Sequence, residues 1–164
     1  MEQQAQKARF VLTQQGFDRL EKELEELQKR RVEVAGNIRT AKGFGDLSEN
    51  FEYHEAKREA GFVEGRLQEL KQILPAAQVI TPEEVDTEAV GFGAVVTVRD
   101  LGLDEEWDYS IVGPLEADPE NDRISYESPL GAAFLGRKVG DVVEINVPAG
   151  VARYEIKSIR RYEL

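Results

Sequence analysis

Two acidic residues stand three positions apart in the segment GFGDLSENFEY, residues 43–53. Asp46 and Glu49 carry hard carboxylate oxygens, and Mg²⁺ is commonly bound through only one or two protein carboxylates. Two carboxylates cannot hold the ion tightly alone, so a catalytic role would require a partner that supplies the remaining ligands. The first functional hypothesis is therefore a shared Mg²⁺ site at Asp46 and Glu49.

The same two residues also fit a structural role. An acid at a helix N-cap, followed by Glu three residues later, is a variant of the capping box, in which side chains satisfy free N–H groups at the start of a helix. In that interpretation Asp46 and Glu49 cap the helix that follows them. The local pattern leaves both interpretations open.

Basic residues lie on both sides of these acids: Lys42 before them, and Lys57 and Arg58 after them. Three charges are too few for stable independent binding of nucleic acid, but they suffice to orient a strand that is already held by something else. The alternative is that they are ordinary exposed charges. The single histidine, His54, adjoins a predicted buried position, and its setting favours a solvated residue over a catalytic base.

The acids interrupt two stretches in which apolar residues alternate at spacings of three and four, the heptad pattern of paired helices. The first stripe comprises Phe17, Leu20, Leu24, Leu27, Arg31, Val34, Ile38 and Ala41. The second comprises Tyr53, Ala56, Ala60, Val63, Leu67, Leu70 and Leu74. Thr13 is a favourable N-cap for the first helix, and Pro75 is predicted to end the second.

The short connection between the stripes predicts that the two helices pair with each other. Helices joined by a few residues are neighbours and antiparallel, so residues 43–50 become the tip of a hairpin about 40 Å long. Pairing with a second chain is the alternative, but the glycine-containing link favours an intramolecular hairpin and hence a monomer. The predicted hairpin domain spans residues 1–78.

Residues 79–164 are predicted to form a second domain, because the hydrophobic period changes from helical to strand-like. Five windows are rich in β-branched and aromatic residues: 93–100, 107–113, 123–127, 141–147 and 152–162. Between them, Ser128 as N-cap, Pro129 at the first helical position and Gly136 beyond the end indicate one short helix. The expected fold class is α+β, with a mostly antiparallel sheet.

Composition limits the classes of function. The 164-residue chain has a net charge of −11, which argues against general affinity for nucleic acid. The excess is uneven: residues 1–75 carry a net −1, and residues 76–164 carry a net −10. The chain has no cysteine, no apolar run of the ~20 residues that a membrane helix requires, and no secretory h-region. A cytoplasmic protein without membrane contact is expected.

Three separated segments closely resemble the bacterial Gre transcript-cleavage factors: LTQQGFDRLEKELEEL, FGDLSENFEYHEAKRE and SPLGAAFLGRKVGD. The resemblance covers nearly the whole chain from about Arg9, and the GreA branch is the most similar. It implies an antiparallel coiled-coil hairpin joined to a C-terminal domain with an FKBP-like fold, which is the layout that the periodicity predicts.

The resemblance also implies a mechanism. In that family the C-terminal domain docks on RNA polymerase at the rim of its secondary channel, and the hairpin tip reaches the active centre. The residues that match Asp46 and Glu49 help to hold a second Mg²⁺ there, only in complex with polymerase, while water cuts backtracked RNA. Lys42 and Lys57 match a basic patch that contacts the RNA 3′ end, with Arg58 as a neighbour, and Ser128 and Pro129 mark the docking region. DNA would be met only through the transcription complex.

Two other functions remain open on the sequence. Related factors with an altered acidic tip occupy the same channel and inhibit transcription, so a channel-binding inhibitor without cleavage activity is the main alternative. A peptidyl-prolyl isomerase is suggested only by the fold expected of the C-terminal half, and an aromatic-lined pocket is not evident in its sequence.

Overall fold

A computed structural model describes residues 10–46 and 50–164 and confirms the predicted α+β class. The chain divides into two compact units, one formed by residues 17–76 and the other by residues 10–16 together with 77–164. The sequence predicted a hairpin domain of residues 1–78. In the structure, residues 10–16 and residues 77 and 78 belong to the same unit as the C-terminal half.

The hairpin unit consists of two long helices, α1 (Gln14–Lys42) and α2 (Phe51–Ala76). Their lengths of 29 and 26 residues correspond to about 40 Å each. The link between them, residues 43–50, has the predicted bounds. Pro75 does not end α2, which continues for one more residue, to Ala76. Neither helix carries, in its described residues, the apolar run needed to cross a membrane.

The predicted stripes form the seam between the two helices. The buried seam residues are Leu20, Val34 and Ala41 on α1, and Ala56, Val63, Leu67 and Leu70 on α2. At the end of α2, Ile73 is buried in place of the predicted Leu74. A straight helix drifts by ~20° per heptad relative to a strict seven-residue repeat, so a one-residue shift is expected along a stripe of this length.

Ion pairs across the seam set the register of the two arms. Arg66 contacts Glu23 through Nε at 2.6 Å, Arg30 contacts Glu59 at 2.5 Å, and Arg31 lies 3.3 Å from Glu64. Positions late on α1 pair with positions early on α2, so the arms are antiparallel, as predicted. The hydrogen bond from Arg30 lowers the pKa of the Glu59 carboxyl below its ordinary value.

The globular unit is built on a five-stranded sheet in the order β5-β4-β3-β7-β6. Its strands are β3 (Ala94–Asp100), β4 (Glu105–Val112), β5 (Arg123–Ser125), β6 (Val142–Val147) and β7 (Gly150–Arg161). Each of the five predicted windows overlaps one of these strands. The β4–β5 pair is parallel and the other three pairs are antiparallel, so the sheet is mostly antiparallel, as predicted.

One short helix, α3 (Pro129–Phe134), packs on this sheet. Phe134 is fully buried, and its ring lies 6.0 Å from that of Tyr109 and 5.7 Å from that of Tyr154. Burial raises the pKa of both tyrosine hydroxyls. The helix therefore supplies Phe134 to the core, where this ring packs with the buried apolar residues of β3 and β7.

A second, two-stranded parallel sheet joins β1 (Val11–Thr13) to β2 (Gln78–Ile80). Next to it, the buried Glu116 carboxylate accepts hydrogen bonds from the Thr13 backbone N–H at 3.0 Å and from the Thr13 hydroxyl at 2.5 Å. The Thr13 hydroxyl in turn accepts from the Gly16 N–H at 3.1 Å, which confirms Thr13 as the N-cap of α1. Glu116 thus fixes the side chain that starts the first helix.

Two glycines give opposite stability predictions. A Cβ on Gly16 would lie 2.1 Å from the Glu116 Oε1 and 2.3 Å from its Cδ, so Gly16→Ala would force Glu116 away from Thr13. We expect the free energy of unfolding to fall by about 2 kcal/mol, because a hydrogen bond to a buried charged group contributes about that much. A Cβ on Gly36 meets nothing within 4 Å, so Gly36→Ala should stabilise α1 by about 0.5–1 kcal/mol.

Urea unfolding of both variants checks this contrast. Fluorescence of Trp107, the only tryptophan, follows the globular unit, and far-UV circular dichroism follows the helices. Equal midpoints for Gly16→Ala and the parent chain would show that the Glu116 contact does not hold the start of α1.

Candidate functional site at the hairpin tip

The tip begins where α1 ends in a tight turn. The Gly43 N–H donates to the Thr40 carbonyl and the Phe44 N–H donates to the Ala41 carbonyl, both at 3.1 Å. Gly45 then adopts φ +108°, a conformation that residues with a side chain rarely take. Gly45 therefore supplies a turn conformation directly after the end of α1, and Asp46 follows in an exposed position.

Asn50 caps the second helix and ties the two arms together. Its Oδ1 accepts from the Tyr53 N–H at 3.1 Å, three residues into the helix, which is the N-cap geometry. Its Nδ2 donates to the Ala41 carbonyl near the end of α1 at 2.6 Å. The prediction that Asp46 is the N-cap is wrong, because α2 begins at Phe51 and the capping position belongs to Asn50. Sequence reasoning missed this residue, although Asn directly before a helical stripe is a recognised capping signal.

The predicted metal ligands are only partly described. Asp46 is exposed at the tip, whereas Glu49 lies outside the described residues. Over residues 10–46 and 50–164 there is no cluster of three or more acidic, histidine or cysteine side chains that could hold a metal by itself. The exposed carboxylate of Asp46 is a hard oxygen ligand of the kind that a shared Mg²⁺ site requires.

The three residues of the predicted basic spot differ in their contacts. Lys42 is exposed at the end of α1, and Lys57 lies on α2 with its Nζ 5.4 Å from the centre of the Tyr53 ring. Arg58 is paired with Glu55 at 2.5 Å, which offsets its charge. Ala41 and Ala56 are buried and line the same hollow between the arms. Lys42 and Lys57 directly follow them in the sequence. His54 is exposed, as predicted, and its ring packs edge-on against Tyr53.

Exposed aromatic rings form a further feature of the tip. Phe44 and Phe51 have 67% and 74% of their surface accessible to solvent. Both line an open hollow of about 450 Å³ with Asp46, Asn50 and Glu52. The sequence signal was available, since both phenylalanines fall outside the predicted stripes and so had no place in the seam.

The residues predicted to dock a partner lie in the globular unit, at the start of α3. The Ser128 hydroxyl accepts from the Gly131 N–H at 3.1 Å and donates to the Ser125 carbonyl at 2.6 Å. This confirms Ser128 as the N-cap, with the exposed Pro129 at the first helical position. Ser128 is therefore engaged in holding α3, and Pro129 presents its ring to solvent.

The protein thus combines two units. One is a helical hairpin with an exposed acid at its tip, and the other is an α+β unit with one short helix packed on its sheet. Two family models match the same two parts: the N-terminal domain of transcription elongation factors over residues 10–79, and the C-terminal domain of the transcription elongation factors GreA and GreB over residues 85–161. The chain belongs to the GreA/GreB family of transcription elongation factors.

Individual relatives agree with the family models. The chain is 49% identical to transcription elongation factor GreA of Clostridium kluyveri over 93% of its own length and 97% of that protein. It is 51% identical to GreA of Clostridioides difficile, over 93% and 96% of the two chains. Among solved structures it is similar to GreA factor homolog 1 of Thermus thermophilus, with 31% identity, a TM-score of 0.42 and coverage of 92% and 98%.

The double role of Asn50 can be separated by two substitutions. Asn50→Ala removes both the cap and the contact with Ala41. We expect it to lower the free energy of unfolding by about 2 kcal/mol. Asn50→Asp keeps an acceptor for the Tyr53 N–H but loses the donor to Ala41, so it should cost about half as much. Amide hydrogen exchange at Tyr53 measures the cap directly: it should accelerate in the alanine variant and stay slow in the aspartate variant. Equal exchange in the two variants would contradict this assignment.

Proposed function

We propose that this chain stimulates the cleavage of backtracked RNA by RNA polymerase, with its hairpin tip placed in the polymerase active centre. The proposal is supported by family membership over both units and by the exposed acid at the tip of a hairpin about 40 Å long. The observation that carries it is the exposed position of Asp46 at the tip of the hairpin. The chain is not itself an enzyme in this proposal, and polymerase supplies the rest of the reaction centre.

Asp46 and Glu49 would hold a Mg²⁺ jointly with polymerase. A second Mg²⁺ beside the first supplies two-metal chemistry, in which the attacking water and the leaving oxygen of a phosphodiester are each stabilised by an ion. The part played by this chain is to deliver carboxylate oxygens on a rigid support. Rigidity comes from the cross-arm ion pairs and from the Asn50 contact with Ala41.

The basic residues near the tip would orient the RNA. Lys42 and Lys57 carry exposed ammonium groups on the two arms, and such groups position a phosphate backbone without reading its sequence. Arg58 is the weakest of the three candidates, because Glu55 already pairs with it. In this account DNA is met only within the transcription complex, the chain acts as a monomer, and its workplace is the bacterial cytoplasm.

Removal of the two tip carboxylates tests the proposal. In stalled, backtracked complexes, Asp46→Asn combined with Glu49→Gln should slow RNA shortening by about 100-fold or more, because the amides no longer supply charged ligands to the ion. Binding to polymerase should change little. Glu26→Gln is the matched control, since Glu26 is an exposed carboxylate on α1 outside the tip.

The same assay decides between the proposal and the inhibitory alternative. A wild-type chain that binds polymerase, slows RNA synthesis and produces no shortened RNA at any Mg²⁺ concentration would be a channel-binding inhibitor. A double variant that shortens RNA at the wild-type rate would show that Asp46 and Glu49 have no part in the reaction.

The docking region has its own test. Pro129 is exposed at the first position of α3, so Pro129→Ala removes surface while Ser128 continues to cap the helix. We expect about a fivefold loss of affinity for polymerase, the effect of roughly 1 kcal/mol at an interface contact. Pro119→Ala is the control, because Pro119 is an exposed proline that starts another short helical turn. Equal affinities of the two variants would place docking elsewhere on the globular unit.

A further inference from the structure

Two phenylalanines are exposed among the described residues at the tip. Phe44 lies in the turn after α1, and Phe51 is the first residue of α2; neither contributes to the buried seam. Large exposed aromatic rings that serve no packing role often mark a contact surface. Their position on either side of Asp46 in the chain places such a surface beside the proposed reaction site.

The composition of the hollow indicates what it can accept. Besides the two rings, it is lined by Asp46, Asn50 and Glu52. Two carboxylates in one hollow repel a phosphate group unless a cation lies between them. A neutral planar base meets no such penalty and can stack on an aromatic face. The polar groups of Asn50 are already used, by the Tyr53 N–H and the Ala41 carbonyl.

We infer that Phe44 and Phe51 form a stacking surface for an unpaired nucleobase of the RNA, next to the phosphodiester that is cut. The inference rests on the proposed function and adds a contact that the acids and lysines do not make. Stacking of bases on aromatic side chains tolerates any sequence, because every base has a π-face. The surface would hold the terminal RNA segment in place without selecting its sequence.

An apolar segment of a partner protein is the competing occupant. The base is favoured because the hollow includes Asp46, the carboxylate proposed to act on the RNA, so an occupant of this hollow lies beside the reacting strand.

Substitutions that separate stacking from apolar contact provide the test. Phe44→Leu and Phe51→Leu keep an apolar side chain but remove the aromatic face, whereas Phe44→Tyr and Phe51→Tyr keep it. Val32→Ala is the control, because Val32 is 70% exposed on α1 and lines neither hollow at the tip, whereas Phe62 shares the hollow between the arms with Phe44 and Phe51. Each variant is assayed in stalled complexes with normal RNA and with RNA that lacks the bases of its terminal nucleotides.

Each leucine variant should shorten normal RNA about tenfold more slowly, which corresponds to the loss of one stacking face. The tyrosine variants and Val32→Ala should retain the wild-type rate. On RNA without terminal bases, the leucine variants and the wild type should be equally slow. Unchanged rates in the leucine variants, or an equal proportional loss on both RNAs, would overturn the inference, and the second result would favour a protein contact.

A crosslinking measurement keeps this inference separate from the proposed function. RNA with a photoactivatable base at its 3′ end is bound to polymerase with the Asp46→Asn, Glu49→Gln variant, so no cleavage is needed. Crosslinks should map to Phe44 or Phe51 and should disappear in a variant with leucine at both positions. Crosslinks to polymerase alone would refute the stacking surface even if the wild-type chain shortens RNA. Crosslinks at the tip without any shortening by the wild type would instead contradict the proposed function.

Discussion

The antiparallel register of the two arms is the constraint on which the rest of the structure depends. The hydrophobic stripes bring the helices together, but an apolar seam alone tolerates sliding by a whole repeat. The ion pairs of Glu23 with Arg66 and of Arg30 with Glu59 distinguish one register from its neighbours. Asn50 closes the same register at the tip through its contact with Ala41. The position of Asp46 follows from this pairing.

The cap of the second helix is an uncharged side chain. A helix N-terminus attracts carboxylates, because its first N–H groups have no partners within the helix. Here the amide oxygen of Asn50 accepts from the Tyr53 N–H, so an uncharged group satisfies one of these donors. The cap therefore adds no negative charge beside the exposed carboxylate of Asp46.

Features that depend on local spacing could be predicted from the sequence. The two stripes predicted the helices and their link at residues 43–50, and five strand-like windows located all five strands of the large sheet. The short helix after Ser128 followed from capping chemistry. The resemblance of three segments to the Gre factors indicated the family from the sequence alone. The same local reasoning identified Asp46 but assigned its capping alternative to the wrong residue.

Features that depend on distant pairings could not be predicted. The parallel pairs β1–β2 and β4–β5 join strands whose sequences carry no mark of their partners. The contact of Glu116 with Thr13 spans 103 positions, so the acid looked like any other charge in an acidic half. The β1–β2 pairing and the contact of Glu116 with Thr13 both join residues 10–16 to the C-terminal half. Pairing between distant segments, rather than composition, therefore accounts for that boundary.

The central claim is that the tip of the hairpin reaches the metal ion of the polymerase active centre. Replacing Mg²⁺ by Fe²⁺ in the complex generates hydroxyl radicals at that ion, and the radicals cut whatever protein chain lies beside it. The account predicts cuts in this chain that are confined to the neighbourhood of residues 43–51. Added Mg²⁺ should reduce these cuts, because it competes with Fe²⁺ for the site. Cuts confined to the globular unit, or an uncut chain in a complex shown to be bound, would contradict it.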